Sequence, residues 1–121
     1  MKISFVGFLI CLFLLYILTL NLKVNNIKIG EIDKNLVGKL VNITGEVSEI
    51  SYVNENIFVK IKDETGIIKI ILWEDTINLL SAKGIDIRNI KKGVKINVVG
   101  EVEIYKGEVE IIPIRDEIHF L

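Results

Sequence analysis

Aromatic rings and lysines share one face of two short stretches in the middle of the chain. The first stretch is Ile57–Lys62 and the second is Ile67–Trp73, which ends at the only Trp. Successive side chains of a β-strand point to opposite faces. One face would then carry Phe58, Lys60, Lys62, Ile67, Lys69, Ile71 and Trp73. Aromatic rings stack on flat bases and ammonium groups attract phosphates, so this face has the chemistry to hold a single strand of nucleic acid.

The opposite face is purely aliphatic and predicts a core. The two stretches are separated by Asp63–Gly66, a four-residue turn that predicts a β-hairpin. This turn places Lys60 opposite Lys69 and Phe58 opposite Ile71. Two lysines directly opposite each other repel, and a bound anion would relieve the repulsion. The core face consists of Ile57, Val59, Ile61, Ile68, Ile70 and Leu72.

A structural alternative accounts for the same residues without a ligand. Lys60 and Lys69 could splay apart into solvent, with Glu46 neutralising one of them. Phe58 and Trp73 could pack under a helix or under the N-terminal connector.

A second hairpin is predicted around the dipeptide Lys106–Gly107. A two-residue turn there puts Tyr105 outward beside Glu108 and places Glu103 opposite Glu110, with Glu101 on the same side. We interpret this side as a solvated acidic surface rather than a divalent-ion site. Because it repels phosphate, a nucleic acid should follow the lysine-bearing hairpin instead.

Five strand-like runs and one helix organise the rest of the chain. Gly45 predicts a bulge or bend in the first run, and Pro113 should close the fifth run near a sheet edge. The strand–strand–strand–helix–strand–strand order is that of the OB-fold, an all-β, five-stranded Greek-key barrel with one short helix between strands 3 and 4. The predicted runs are 39–50, 57–62, 67–73, 94–104 and 108–114, with the helix over 74–82.

The N-terminal segment predicts a membrane anchor before the barrel. Residues 3–20 carry no charge and lie between Lys2 and Lys23; as a helix they would span about 27 Å, close to the thickness of the bilayer interior. The apolar run is long and no small-residue cleavage pattern follows it, which favours an uncleaved transmembrane helix over a signal peptide. The domains are then a transmembrane anchor over 1–22, which contacts lipid through residues 3–20, a connector over 23–36 and the OB domain over 37–121. Lysines after the anchor favour a cytoplasmic domain.

Charge and residue usage narrow the classes of function. The chain has 15 basic and 16 acidic residues, so it lacks the strongly basic character of most nucleic-acid-binding domains and depends on a local patch. Cys11 is the only Cys, which excludes an internal disulfide and a Cys-based metal site. His119 is the only His and has no catalytic partners in the pattern. We therefore expect a binding protein without a cofactor or metal, not an enzyme.

Two stretches carry a resemblance to a known family. Asp63–Trp73, together with Tyr105–Ile111, resembles the single-stranded-DNA-binding OB domains of archaeal replication protein A and the broader OB family that includes tRNA anticodon-binding domains. The resemblance covers residues 37–112. It implies that Trp73 and Tyr105 stack on bases, and that the domain binds single-stranded DNA or RNA weakly and with little sequence preference. The predicted binding residues are Tyr52, Phe58, Lys60, Lys62, Lys69, Ile71, Trp73, Tyr105 and Lys106.

Two other readings of a membrane-tethered OB domain stay open. In a protein-interaction module similar to the NfeD-like membrane proteins, the patch of Phe58, Ile71 and Trp73 would be a docking surface. The layout also resembles the haem chaperone of cytochrome c maturation, with His119 after the last strand. That family requires a Tyr in the tail, whereas only Phe120 and Leu121 follow His119.

Overall fold

The computed structural model describes residues 7–14 and 24–121. Residues 7–14 are helical, with exposed side chains. Within these described ranges, no helix combines the length and the apolar character needed to cross a membrane. Most of the anchor predicted over residues 3–20 lies outside the described residues, so the anchor stays a prediction.

Five long strands close into the barrel that the sequence predicted. The strands are β1 (Asn25–Asn26), which is short, and the five barrel strands β2 (Leu40–Val53), β3 (Asn56–Lys62), β4 (Ile67–Leu72), β5 (Lys95–Tyr105) and β6 (Glu108–Phe120). Hydrogen-bonded neighbours follow the order β1-β2-β3-β4-β6-β5, and pairing of β2 with β5 closes the circle. β4 and β6 run parallel, as do β1 and β2, while the other pairs are antiparallel. The structure is thus a mixed, five-stranded OB barrel.

The aliphatic face of the hairpin forms the barrel core, as predicted from its alternation. Helix α1 (Glu74–Ala82) adds the fully buried Leu80. It starts with Glu74 and Asp75, which suit the positive end of the helix dipole, and it stops before Gly84, whose φ of 82° is easily adopted by glycine. Short 3-10 turns occupy Ile29–Glu31, Lys34–Leu36 and Ile87–Asn89. The predicted helix is confirmed.

Two irregularities differ from the prediction. Gly45 lies in regular pairing with Ile96, and the bulge in the β2–β3 ladder falls between Val47 and Glu49 instead. A larger residue at position 45 would be too close to the neighbouring strand, because an added Cβ would lie 2.9 Å from the carbonyl oxygen of Lys62.

The fifth strand does not end at Pro113. Pro113 is in register with Gly100, but the β5–β6 ladder then shifts so that Val98 pairs with Ile118. Residues 114–117 bulge out, with Arg115 at a φ of 50°. Because the bulge absorbs the break in pairing next to the proline, β6 continues to Phe120.

The described part of the predicted connector, residues 24–36, packs onto the barrel. Ile29 and Ile32 belong to the buried core cluster. The Asp63–Gly66 turn holds this segment: Asp63 Oδ2 accepts a hydrogen bond from the Ile29 N–H at 2.9 Å, and Thr65 Oγ1 accepts one from the Gly30 N–H at 2.8 Å. The turn therefore fixes the N-terminal segment as well as the hairpin.

The Asp63 carboxylate makes the free energy of unfolding depend on pH in the acid range. Burial raises the pKa of its carboxyl, but hydrogen bonds from the Thr65 hydroxyl and from the backbone N–H groups of Ile29, Thr65 and Gly66 outweigh burial and lower the pKa to about 2. A lowered pKa contributes stability that is complete above the unfolded-state value and is lost as the pH falls through the folded-state value.

We expect Asp63→Asn to remove this acid dependence. In the wild type, Asp63 contributes about 1 kcal/mol after allowance for solvent screening, and this contribution disappears between about pH 4 and pH 2. Urea unfolding of both proteins across that range measures the difference. A wild-type-minus-Asn difference that stays constant with pH would contradict the role of the Asp63 carboxylate.

Candidate functional site

The outward face of the hairpin has the register predicted from its turn. Phe58 pairs with Ile71, Lys60 with Lys69, and Lys62 with Ile67. The predicted Phe and Lys side chains therefore share one face of β3 and β4, and Trp73 directly follows β4.

The two facing lysines are each paired with a carboxylate. Lys60 Nζ lies 3.4 Å from Glu49 Oε2 on β2, and Lys69 Nζ lies 3.6 Å from Glu110 Oε1 on β6. Glu46, the predicted partner, forms an ion pair with neither lysine. Mutual repulsion of Lys60 and Lys69 therefore gives no argument for an anionic ligand, and that step of the prediction was wrong.

Glu110 also departs from its predicted place on a solvated surface. Glu103 does face Glu110 across the β5–β6 ladder, as predicted. However, Glu110 is only 3% exposed, since the parallel pairing of β4 and β6 sets it beside Lys69.

The aromatic side chains of the face differ in access. Trp73 is 44% exposed and Tyr105 is 60% exposed, whereas Phe58 is half-buried and Ile71 is only 4% exposed. Ile71 was expected to be an exposed contact, and that expectation was wrong. The ammonium group of Lys69 lies 5.5 Å from the centroid of the Phe58 ring, a cation–π contact. Trp73 and Tyr105 are therefore the rings available for stacking.

Trp73 is held at the junction of β4 and α1. It occupies the N-cap position of the helix but makes no capping hydrogen bond with its side chain. Asn56 supplies the cap instead, since its Oδ1 accepts from the Glu74 N–H at 3.0 Å. The indole is thus not needed for capping and stays partly exposed.

Tyr105 and Lys106 lie on the β5–β6 turn. Lys106 has a φ of 52°, and its ammonium group is 5.4 Å from the centroid of the Tyr105 ring. Tyr52, the remaining predicted ring, is exposed but lies in register with the core residue Ile57. Tyr52 is therefore on the opposite face from Phe58 and does not join the candidate site.

A groove of about 620 Å³ lies between the hairpin face and the β5–β6 turn. Lys60, Lys69 and the 63%-exposed Ile67 line it from β3 and β4, and Gly107 and Glu108 line it from the turn. Ile67, Gly107 and Glu108 were not predicted as site residues, although the outward phase of Ile67 was visible in the sequence. The groove thus has a partly apolar, partly charged lining and borders the turn that Tyr105 directly precedes.

Electrostatics around the groove are close to neutral. Glu49 and Glu110 balance the two groove lysines, and Glu108 adds a negative charge. The end of the face near Trp73 is acidic, because Glu55 lies beside Glu74. A hydrogen bond with Glu55 and the charge of Glu55 raise the pKa of Glu74. Stacking therefore has to supply most of the affinity in this groove.

No metal site is apparent in residues 7–14 and 24–121, where His, Cys, Asp and Glu side chains form no group of three or more that could hold an ion. His119 Nε2 lies 3.1 Å from Glu117 Oε2, and Asp116 accepts from Lys83 Nζ at 2.7 Å.

Comparison with known proteins identifies relatives. A family model described as OB-fold nucleic acid binding domain, of the tRNA anticodon type, matches residues 41–117. An OBody, AM1L10, solved bound to hen egg-white lysozyme, is 30% identical to this chain, with a TM-score of 0.61 over 75% of this chain and 87% of that one. No curated protein is significantly similar to the chain.

Two natural proteins share the fold at lower identity. Asparaginyl-tRNA synthetase from Pyrococcus horikoshii is 22% identical with a TM-score of 0.64, over 78% of this chain and 22% of the synthetase. A chain of the S. pombe Stn1–Ten1 complex is 17% identical with a TM-score of 0.56, over 68% of this chain and 57% of that one.

Proposed function

Because the chain belongs to the OB-fold nucleic acid binding domain family of the tRNA anticodon-binding type, we propose that it binds single-stranded DNA or RNA across β3 and β4. The observation that carries the proposal is the groove of about 620 Å³ on this face, which Ile67 and Lys69 line from β4 and Gly107 and Glu108 line from the β5–β6 turn next to Tyr105. Tyr105 ends β5 beside this turn, and Trp73 directly follows β4.

Stacking is the main source of affinity in this proposal. Each base stacked on an aromatic ring contributes about 1–3 kcal/mol with little dependence on sequence. Two accessible rings with lysines at the groove give weak, sequence-tolerant binding, in the range of about 10⁻⁴ to 10⁻⁶ M that is typical of non-specific complexes.

Fluorescence anisotropy of an end-labelled oligothymidine, titrated with the full-length chain at low salt, tests the proposal. We expect saturable binding to the single strand and weaker binding to the same strand annealed to its complement, since paired bases cannot splay onto Tyr105 and Trp73. Equal affinity for both forms would contradict stacking as the source of binding.

A protein-docking role is the second candidate, favoured by the similar OBody that was solved in complex with lysozyme. The partly exposed Phe58 and Trp73 would then form the centre of a protein interface, where aromatic residues are enriched. The anisotropy experiment separates the two functions, because a protein-docking face predicts no oligonucleotide binding.

We also propose that residues 3–20 tether the domain to a membrane, with the barrel on the cytoplasmic side. The uncharged run of eighteen residues between Lys2 and Lys23 supports this tether. After alkaline extraction of the expressed full-length chain, we expect it in the membrane pellet and cleavable by protease from the cytoplasmic side only. Recovery in the soluble fraction would contradict the tether.

A further inference from the structure

Outward side chains of the barrel, most of them charged, lie in two cross-strand rows. We call Glu49, Lys60, Lys69 and Glu110 the paired row, since each is in register with the next across β2, β3, β4 and β6. We call Lys95, Glu46, Lys62 and Ile67 the open row, since these are in register across β5, β2, β3 and β4.

The two rows differ in how their lysines are neutralised. Both lysines of the paired row are in ion pairs, at 3.4 and 3.6 Å. In the open row, Lys62 and Lys95 are exposed, and no carboxylate oxygen of a described residue lies within 4.0 Å of either ammonium group. Glu46, the one acid of this row, has an oxygen 4.0 Å from where a Cβ on Gly93 would be, so its carboxylate is directed toward the 91–94 loop.

The 91–94 loop carries two more lysines, Lys91 and Lys92, and is attached to β2. The Gly93 N–H donates to the Val47 carbonyl, and the Val47 N–H donates to the Val94 carbonyl, both at 2.8 Å. The loop is thus fixed against β2 beside Ser48, a residue that lines the groove. Lys91 and Lys92 are exposed, and they too make no ion pair with any described residue.

We propose that Lys62, Lys95, Lys91 and Lys92, rather than Lys60 and Lys69, form the phosphate track for the bound strand. This inference rests on the proposed function. A phosphate that takes Lys69 must leave the buried Glu110 without its partner, which is unfavourable. Lys60 is already neutralised by Glu49, so a phosphate there releases fewer counterions. A phosphate that takes Lys62 or Lys95 displaces only solution counterions, and their release favours binding.

Neighbouring acids set the direction of the track. Lys62 and Lys95 themselves line a second groove of about 780 Å³, whose other lining residues include the acids Glu31, Asp63 and Glu64, so phosphate is repelled from the rest of that groove. Acids at the Trp73 end, Glu55 and Glu74, also repel phosphate. The strand therefore leaves the main groove over Ser48, toward Lys91 and Lys92.

Salt dependence of oligothymidine binding by the full-length chain tests the track with a matched pair of variants. Lys60 and Lys62 lie two residues apart on the same face of β3. For single strands, each neutralised phosphate makes the slope of log K against log salt steeper by about 0.7. We expect Lys62→Gln to reduce the slope by about 0.7 and Lys91→Gln/Lys92→Gln by about 1.4, while Lys60→Gln leaves the slope unchanged.

The slope is the readout because it counts neutralised phosphates, whereas the affinity also falls when Lys60→Gln leaves Glu49 unpaired beside the strand. All substituted lysines are exposed, so the variants should fold, and circular dichroism checks this. The track is overturned if Lys60→Gln lowers the slope as much as Lys62→Gln does, or if Lys62→Gln and Lys91→Gln/Lys92→Gln both leave it unchanged; binding by the wild type then still upholds the proposed function. If the wild type binds no oligonucleotide, the function and the track fail together.

Discussion

Tyr105→Ala is expected to weaken binding of a single-stranded oligonucleotide by about 5- to 150-fold, the equivalent of about 1–3 kcal/mol for one lost stacking contact. Tyr105 is 60% exposed and directly precedes the β5–β6 turn, whose Gly107 lines the groove. Tyr105→Phe keeps the ring, so its affinity should stay within about twofold of wild type. Anisotropy titrations at one salt concentration measure all three proteins.

Tyr52→Ala is the matched control for this prediction. Tyr52 is 69% exposed, similar to Tyr105, but it lies in register with Ile57 on the other face. Its removal should leave affinity unchanged. An equal loss in Tyr52→Ala and Tyr105→Ala would place the binding surface elsewhere.

Gly100→Ala is expected to destabilise the barrel by about 3 kcal/mol or more, the upper end of overpacking costs. An added methyl carbon would lie 2.6 Å from Ile111 Cγ2 and 2.6 Å from the carbonyl oxygen of Ile112. Backbone atoms of a closed barrel cannot move away cheaply, so β5 and β6 would have to separate next to Pro113. A lower urea midpoint with an unchanged m-value would report this loss.

Gly66→Ala provides the comparison for Gly100→Ala. The nearest atom to an added Cβ at Gly66 is 3.5 Å away, an ordinary van der Waals distance, and its φ is not positive. We expect a change of less than about 1 kcal/mol. Equal destabilisation of the two variants would contradict the steric account of Gly100.

Local patterns predicted most of the hairpin that carries the site. The four-residue turn predicted the pairing of Phe58 with Ile71 and of Lys60 with Lys69, because this turn alone separates the two strands along the chain. The same alternation predicted the aliphatic core.

The ion pairs could not be predicted in this way. Glu110 meets Lys69 only through the parallel pairing of β4 and β6, which depends on closure of the whole barrel. The attachment of residues 24–36 likewise depends on a hydrogen bond between Asp63 and Ile29, 34 residues apart in sequence.

Tyr52 shows how one irregularity changes a face. The bulge between Val47 and Glu49 adds one residue to β2. Because strand faces alternate with period two, one extra residue moves every following side chain to the other face. Tyr52 therefore lies on the same face of the strand as the core residues. Without the bulge, it would share the outward face with Glu46, which is six residues earlier in the chain.

Emission of Trp73 during titration of the full-length chain with unlabelled oligothymidine tests the central claim most directly. Trp73 is the only Trp in the chain and is 44% exposed at the end of β4, so its signal reports this face alone. We predict saturable quenching at low salt, with a midpoint that rises about 5- to 150-fold in Tyr105→Ala. Emission that stays constant through an excess of oligothymidine, while anisotropy still reports binding, would place the nucleic acid on another surface of the barrel.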